Sequence, residues 1–558
     1  MELEKELLMM SETQPGVETD HALLHVICGS RTGNSLAAGR LAHEYATHLG
    51  IKSQLHDMKT IDPDQVAHIK NMLIAVSTHG EGDPPAVVED FYNFMHSPDA
   101  PLMKGTRFSV LALGDSSYKD YCKTGHDFRK RLLELGSEEI SPLVECDIDY
   151  EENAMNWVRE AVASFENILP KTGIINEKEF AFEINKIETG SDGVYYAEVK
   201  DIQLLTSPDF LKRTFHLVLS VEKFASPFFP GDSFGIYAQN SRLLVDKLLK
   251  TLRFDGTHAL IDGKSRKLLK EALISDYEIT VITPVVVEKY AEIIQSSELT
   301  AFISDKSVLG LYCETSDVLD LVTDFPSGIN PEDFVSILRK LNPRLYSVAN
   351  SPQVFPDEVH FTVGLMEYEH KNRRHSGVCT TYFSDRINIG DTIPVFLEAN
   401  ENFRLTDEDS KPIIMIATGT GIAPFRGFLQ YRDHKKVTGD NWLFFGDRHA
   451  ESDFLYQNEL EGYLEKGILT RLNTAFSRDQ AEKVYVQHHM LENSNELFHW
   501  INDRNAEIYI CGNKRTMGKD VRETLALIIA NEGRLSPAKA DEYLQNLRAE
   551  KRLKTDLY

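Results

Sequence analysis

The chain has 558 residues, 42% of them hydrophobic and 26% charged, and a formal net charge of −26 at pH 7. At about 150 residues per domain this length implies roughly three or four domains. The acidity argues against nucleic acid as a partner, because phosphate binding needs a basic face. Six cysteines, at 28, 122, 146, 313, 379 and 511, form no CxxC pair and no cluster with histidine at zinc spacing, which speaks against disulfides, zinc or another metal centre. An acidic surface suits a basic protein partner and equally suits mere solubility.

Residues 1–20 lack a basic leader and a long apolar run, and no stretch of about 18 apolar residues follows, so a cytoplasmic protein with no membrane contact is expected. Residues 21–168 alternate apolar runs (21–28, 72–77, 108–113) with amphipathic stretches, the rhythm of a parallel sheet covered by helices on both faces. A Pro- and Gly-containing stretch makes 169–185 a linker. Strand texture then returns at 195–200, 215–221 and 233–237, gives way to a mostly helical insert at about 241–340, and resumes at 344–349 and 358–363. Residues 186–405 thus read as a β-domain with a helical insert. From 406 to 558 the βα alternation resumes, with strands near 413–417, 441–446 and 507–511.

Three loops of the first domain follow its strands. Ser30, Arg31, Thr32, Gly33, Asn34 and Ser35 stand where a strand turns into a helix, a place for a phosphate monoester held by N–H groups and hydroxyls; the same residues also make an ordinary helix cap. Thr78, His79, Gly80, Glu81 and Gly82 form the second loop. Leu113, Gly114, Asp115 and Tyr118 form the third, continued to Cys122. Loops at the carboxyl ends of such strands converge on one crevice, where glycines admit a flat ring and Tyr118 can stack on it.

Farther on, Arg344-Leu345-Tyr346-Ser347 places Arg344 and Tyr346 on one strand face, fit for a pyrophosphate and an aromatic ring; a surface strand with a salt bridge is the plainer reading. Gly377-Val378-Cys379-Thr380 opens a helix and offers N–H donors to a second charge. Gly419-Thr420-Gly421 joins a strand to a helix, the context of a dinucleotide loop. Ser477, Arg478, Lys483, Tyr485 and Gln487 gather cations and hydroxyls, either as a solvated loop or as a pocket for a further phosphate.

In this order the motifs resemble the diflavin reductase family, over nearly the whole chain from about 21. The resemblance implies an α/β multidomain fold: a flavodoxin-like doubly wound domain, then a ferredoxin–NADP reductase-like β-barrel FAD domain with a helical insert, then an α/β NADP-binding domain. It implies FMN at the first three loops, with Asp147 and Asp149 on a further acidic loop beside it. It implies FAD at Arg344–Ser347 and Gly377–Thr380, and NADPH at Gly419–Gly421, Ser477–Gln487 and Asp520. Ser347, Cys511 and Asp556 would assist hydride transfer, with the terminal Tyr558 covering the FAD ring until nicotinamide displaces it. His79 departs from the tyrosine of the microsomal members.

Tyr121–Phe128, Asn402-Phe403-Arg404-Leu405 and Asp556-Leu557-Tyr558 are most similar to the branch serving assimilatory NADPH-sulfite reduction. That implies a sirohaem sulfite reductase haemoprotein as electron acceptor. A haem-thiolate monooxygenase or another haemoprotein is the alternative, and a non-catalytic flavin scaffold is a reading of another class. The resemblance also implies a homo-oligomer formed through the N-terminal region, against the default of a tail with no fold of its own.

Overall fold

The computed structural model describes residues 22–558 apart from 31–32, 80–81, 86, 117, 119, 172–179, 181–193, 208–211, 223, 225 and 263–264. The tail at 1–20 and most of the 169–185 linker therefore lie outside the described residues. The chain divides into two compact units, 1–187 and 188–558.

In the first unit β1 (Leu24–Gly29), β2 (Ser53–Asp57), β3 (Asn71–Ser77), β4 (Arg107–Leu113) and β5 (Glu138–Glu139) lie parallel in the order β2-β1-β3-β4-β5, and β6 (Val144–Cys146) pairs with β4. Nearly every residue of β1, β3 and β4 is buried, as a sheet covered on both faces requires. Successive residues feed opposite cores. Val26, Leu73 and Leu111 pack with α1 (Asn34–His48) and α4 (Glu151–Glu166), whereas Ile27, Ile74 and Val110 pack with α2 (Glu89–His96) and α3 (Lys123–Glu134). α1 lies so close to the sheet that a Cβ on Gly39 would sit 1.9 Å from Cys28 Sγ. The strand order reverses between β1 and β3, which opens a crevice beyond their carboxyl ends.

The second unit starts with an antiparallel sheet ordered β12-β9-β16-β7-β8-β13. Its strands are β7 (Tyr195–Leu204), β8 (Thr214–Ser220), β9 (Ser233–Ile236), β12 (Arg344–Ser347), β13 (Glu358–Gly364) and β16 (Thr392–Glu398). A Val348–Phe361 bridge joins its two ends into a barrel. Two hairpins accompany it, β10 (Ala259–Asp262) with β11 (Ser265–Leu268), and β14 (Glu367–His370) with β15 (Arg373–Ser376).

Between β9 and β12 the insert builds a helical core of its own, from α5 (Arg242–Leu252), α6 (Pro284–Ile294), α7 (Lys306–Thr315), α8 (Val318–Asp324) and α9 (Pro331–Ile337). The starts of α6 and α9 are written locally. Thr283 and Asn330 cap them through their side chains, and each carries proline in its first turn.

The same unit ends in a parallel sheet ordered β19-β18-β17-β20-β21, made of β17 (Ile413–Thr418), β18 (Asn441–Asp447), β19 (Arg471–Phe476), β20 (Glu507–Gly512) and β21 (Leu553–Leu557), with α10 (Ala423–Lys435), α11 (Lys519–Glu532) and α12 (Pro537–Ala549) among its helices. The fold is therefore the α/β arrangement expected: a flavodoxin-like sheet, a barrel with a helical insert, and a second doubly wound sheet. A polar cluster joins barrel to sheet. Arg426 of α10 forks onto Glu459 at 2.8 and 3.0 Å and donates to Ala349 O at 2.8 Å, while the Tyr456 hydroxyl meets His216 Nδ1 at 2.9 Å and Thr362 Oγ1 at 2.7 Å. No helix among the described residues is long and apolar enough to cross a membrane.

Candidate functional site

At the β1–α1 junction the first-turn N–H groups of α1 meet no side-chain cap, and Gly33 takes a positive φ of 81°. Ser35 Oγ donates to Gly29 O at 2.7 Å, whereas Ser30 Oγ is buried without a partner among the described residues. A buried unpaired hydroxyl beside free helix N–H donors is the donor set an anionic phosphate satisfies. Arg31, Thr32, Gly80 and Glu81 lie outside the described residues.

Thr78 N donates to Leu113 O and Thr78 Oγ1 accepts from Thr124 N, tying the second loop to β4 and to α3. His79 and Asp83 exchange backbone bonds across a turn in which Gly82 has φ +95°. Gly114 lets the third loop lie flat, since a Cβ there would be 2.8 Å from Cys122 N. The Asp147 carboxylate accepts from the N–H and hydroxyl of Ser116 and from Ile148 N, so it fixes the loop that carries Asp115 and Tyr118. Tyr118 itself is 41% exposed. The Cys122 thiol points inward to Ala112 O at 3.1 Å, which leaves only its backbone to face the crevice.

In the barrel, β12 pairs with β9, Arg344 opposite Ile236 and Ser347 opposite Ser233. Tyr346 lies edge-on to Phe361 and Phe383. Arg344 is held by the buried Glu278 at 2.9 Å, which aims its guanidinium. Gly377 caps a short helix, Val378–Thr381, without a side-chain bond; Thr380 and Thr381 hydroxyls return to Gly377 O. Burial pushes the Cys379 thiol up to about 12. Arg386 clamps this turn through Val378 O and Thr381 O. The donors left over at the Gly377 turn fit a pyrophosphate.

In the last sheet, β17 runs into the Gly419–Ile422 turn and then α10. Gly421 packs so tightly on β20 that a Cβ would stand 2.2 Å from Cys511 O. Ser477 N and Oγ both reach Asp447 O. Gln487 Nε2 donates to Asp520 Oδ2 at 3.3 Å, and Tyr485 caps the following helix half-exposed. Arg478 and Lys483 are exposed and pair with no carboxylate among the described residues, two cations available to a phosphate.

The remaining residues converge. Ser347 Oγ donates to Asp556 Oδ2 at 2.9 Å, and Cys511 Sγ lies 4.0 Å from the same oxygen. Cys511 stands opposite Asp556 in the β20–β21 register. Burial, with Asp556 beside it, drives the Cys511 thiol well above its usual range, so it stays a neutral S–H. Tyr558 N donates to Gly512 O, its hydroxyl meets Thr420 Oγ1 at 2.6 Å, and its side chain is 56% exposed. Strands from two sheets and the chain terminus thus meet at one point.

Comparison with known proteins agrees. The flavodoxin family profile matches residues 26–159, the FAD binding domain 189–382 and the oxidoreductase NAD-binding domain 415–523. The chain is 41% identical to the sulfite reductase [NADPH] flavoprotein alpha-component of Bacillus subtilis over 96% of its own length and 89% of that protein. It is 36% identical to those of Vibrio parahaemolyticus and Escherichia coli O157:H7, over 96% of its length and 86% and 89% of theirs. The chain belongs to the sulfite reductase [NADPH] flavoprotein alpha-component family. Its cofactors are FMN, FAD and NADPH.

As an alpha-component it holds two features that its sequence did not reveal. Lys212, just before β8, makes two 2.5 Å bonds to the Asp447 carboxylate at the end of β18, beside Gly419. Their separation of 235 positions leaves no local signal. Asp317, Asp320 and His375 are grouped closely enough to hold a metal, yet Arg373 already stands 2.5 and 2.8 Å from the two carboxylates and fills the place of a cation.

Proposed function

We propose that this chain takes electron pairs from NADPH and delivers them to a sirohaem sulfite reductase haemoprotein that reduces sulfite to sulfide. The observation that carries the reading is the Ser347–Asp556–Cys511 cluster beneath Tyr558, together with two separate phosphate-competent turns and similarity to alpha-components along the chain. When bound, the two flavins would supply the redox chemistry, hydride acceptance at FAD and single-electron release at FMN.

The chain's own residues bind, orient and shield. Ser30, the Gly33 turn and the start of α1 would hold the FMN phosphate, and Tyr118 would stack on its ring. Arg344 and the Gly377–Thr380 turn hold the FAD pyrophosphate while Tyr346 supports its ring. Arg478, Lys483 and Tyr485 hold the NADPH 2′-phosphate and select it over NADH. Ser347 and Asp556 fix the nicotinamide in a near-attack pose, the Cys511 S–H packs beside it, and Tyr558 keeps water out until nicotinamide arrives. An acidic surface, with net charge −26, suits a partner with a basic docking face. A homo-oligomer and a cytoplasmic site of action complete the proposal.

The test is sulfide formation from NADPH and sulfite by this chain mixed with the sirohaem subunit of the same organism, each alone serving as control. Sulfide from the mixture only is expected. Cytochrome c reduction without sulfide would move the acceptor to another haemoprotein, and neither activity with both flavins bound would refute the reading.

A further inference from the structure

Directly below the Ser347–Asp556–Cys511 cluster lies a second polar layer, wholly buried. β20 and β21 are parallel, with Tyr509 paired to Lys554 and Cys511 paired to Asp556. Side chains two apart on a strand share a face, so Tyr509 and Lys554 form the next rung beneath Cys511 and Asp556. Lys554 Nζ uses all three of its protons: on Glu507 Oε2 at 3.0 Å, on the Tyr509 hydroxyl at 3.0 Å and on Arg404 O at 2.9 Å. The Tyr509 hydroxyl donates to Glu507 at 2.5 Å, and Glu507 is 1% exposed, with Lys411 3.3 Å away.

The layer continues into the barrel. Arg404 forks onto Asp232 through two 2.8 Å bonds, and Asp232 O accepts Val348 N at 2.9 Å. Val348 follows Ser347, and Asp556 follows Lys554 by two. The path therefore closes on itself through the 2.9 Å bond between Ser347 and Asp556.

β21 is the edge strand of its sheet, and among the described residues no strand pairs with its outer side. It is tied from one side only, and a slip of one residue would turn Asp556 to the opposite face. A buried lysine–glutamate pair is a poor source of net stability, because desolvation offsets the attraction, but a shifted register would leave its charges buried and unpaired, which is strongly unfavourable. We propose that Lys554 is a positioning residue for hydride transfer: by anchoring β21 to Glu507, Tyr509 and the Arg404 carbonyl, it holds Asp556 within hydrogen-bond reach of Ser347 and beside Cys511. This inference rests on the reading of Ser347 and Asp556 as the hydride-transfer set.

The experiment is stopped-flow reduction of the flavin-loaded chain by NADPH, and by NADPH deuterated at the transferred position, for wild type, Asp556→Asn and Lys554→Met, with FAD and FMN content measured alongside. Lys554→Met should slow hydride transfer at least about tenfold and enlarge the isotope effect, with NADPH affinity within about twofold and both flavins present. If that variant loses FAD, the double variant Lys554→Met with Glu507→Gln, which leaves no unpaired buried charge, is held to the same expectation. A double variant that also fails to retain FAD makes Lys554 a folding residue and overturns the proposal. So does a slowed rate with an unchanged isotope effect. A wild-type rate for Lys554→Met beside a slowed Asp556→Asn overturns the positioning role and leaves the hydride set standing, whereas wild-type rates in both overturn the set and the role together.

Discussion

Ser347 and Asp556 are 209 positions apart in the chain and 2.9 Å apart in space, the hydroxyl of a barrel strand donating to a carboxylate of the last strand of another sheet. In the proposed function neither side chain has a covalent part in hydride transfer; both fix where the nicotinamide sits against the flavin. Ser347→Ala should therefore slow FAD reduction by NADPH about ten- to a hundredfold while FAD and FMN content and NADPH affinity stay near wild type. Rapid-mixing kinetics at saturating NADPH check this, and an unchanged rate would remove Ser347 from the set.

Tyr558 is anchored at its backbone, donating to Gly512 O and accepting from Lys514 N, and at its hydroxyl to Thr420 Oγ1, yet more than half of its side chain is exposed. In the proposed function this exposed side chain is a displaceable cover, and its displacement taxes nicotinamide binding by the fraction of time it is closed. Deleting Tyr558 should lower KM for NADH and for NADPH by about tenfold, slow release of the oxidised dinucleotide, and spare FMN content. Steady-state kinetics with both nucleotides would expose the opposite result, namely constants untouched by the deletion.

Much of this architecture is legible in the sequence because it is locally encoded. The buried runs of β1, β3, β4, β17, β18 and β20 announce parallel strands without a partner being known, and Thr283-Pro284 and Asn330-Pro331 announce helix starts within the insert. β2 and β19 are less apolar, lie at sheet edges and escape a hydrophobic pattern. The turns that face the crevices are also readable, since glycine and hydroxyl residues between a strand and a helix carry their own chemistry. What the sequence hides is every tie between distant segments. Lys212 with Asp447, Arg404 with Asp232 and Lys554 with Glu507 are ordinary charged residues until the fold buries them together. Family resemblance joined Ser347, Cys511 and Asp556; neither periodicity nor spacing could.

Arg478 and Lys483 are exposed cations with no carboxylate partner among the described residues, near Ser477 and Tyr485 in sequence. Hydrogen bonds to a charged group contribute about 1.5–3 kcal/mol, which corresponds to roughly ten- to a hundredfold in affinity. Arg478→Ala and Lys483→Ala should each raise KM for NADPH by about that factor and change KM for NADH by less than about twofold. Equal losses with both nucleotides would deny these residues any role in reading the 2′-phosphate.

His216 and His360 lie edge-to-face, 4.9 Å between ring centroids, in the seam between the barrel and the last sheet. Burial first and the Arg426 guanidinium second lower both to about 3, and the neighbouring His360 further opposes a charge on His216. The groups around them are Arg426, Tyr456, Glu358 and Glu459, and neutral rings fit the bonds observed: His216 Nδ1 to the Tyr456 hydroxyl, and His360 Nε2 to Glu358 at 3.0 Å. An unfolded chain binds a proton at each histidine near its ordinary value of about 6.5, whereas the folded chain refuses it until about 3. The unfolded state therefore holds more protons throughout that window, so stability rises with pH and is lost as pH falls from about 6.5 toward 3. The slope approaches about 1.4 kcal/mol per pH unit for each histidine. Urea unfolding followed by FAD fluorescence should show the midpoint falling between pH 6.5 and 5, above the range in which ordinary carboxylates titrate. Replacing both histidines with glutamine should flatten that fall, and an unaltered slope in the double variant would place the pH sensitivity elsewhere.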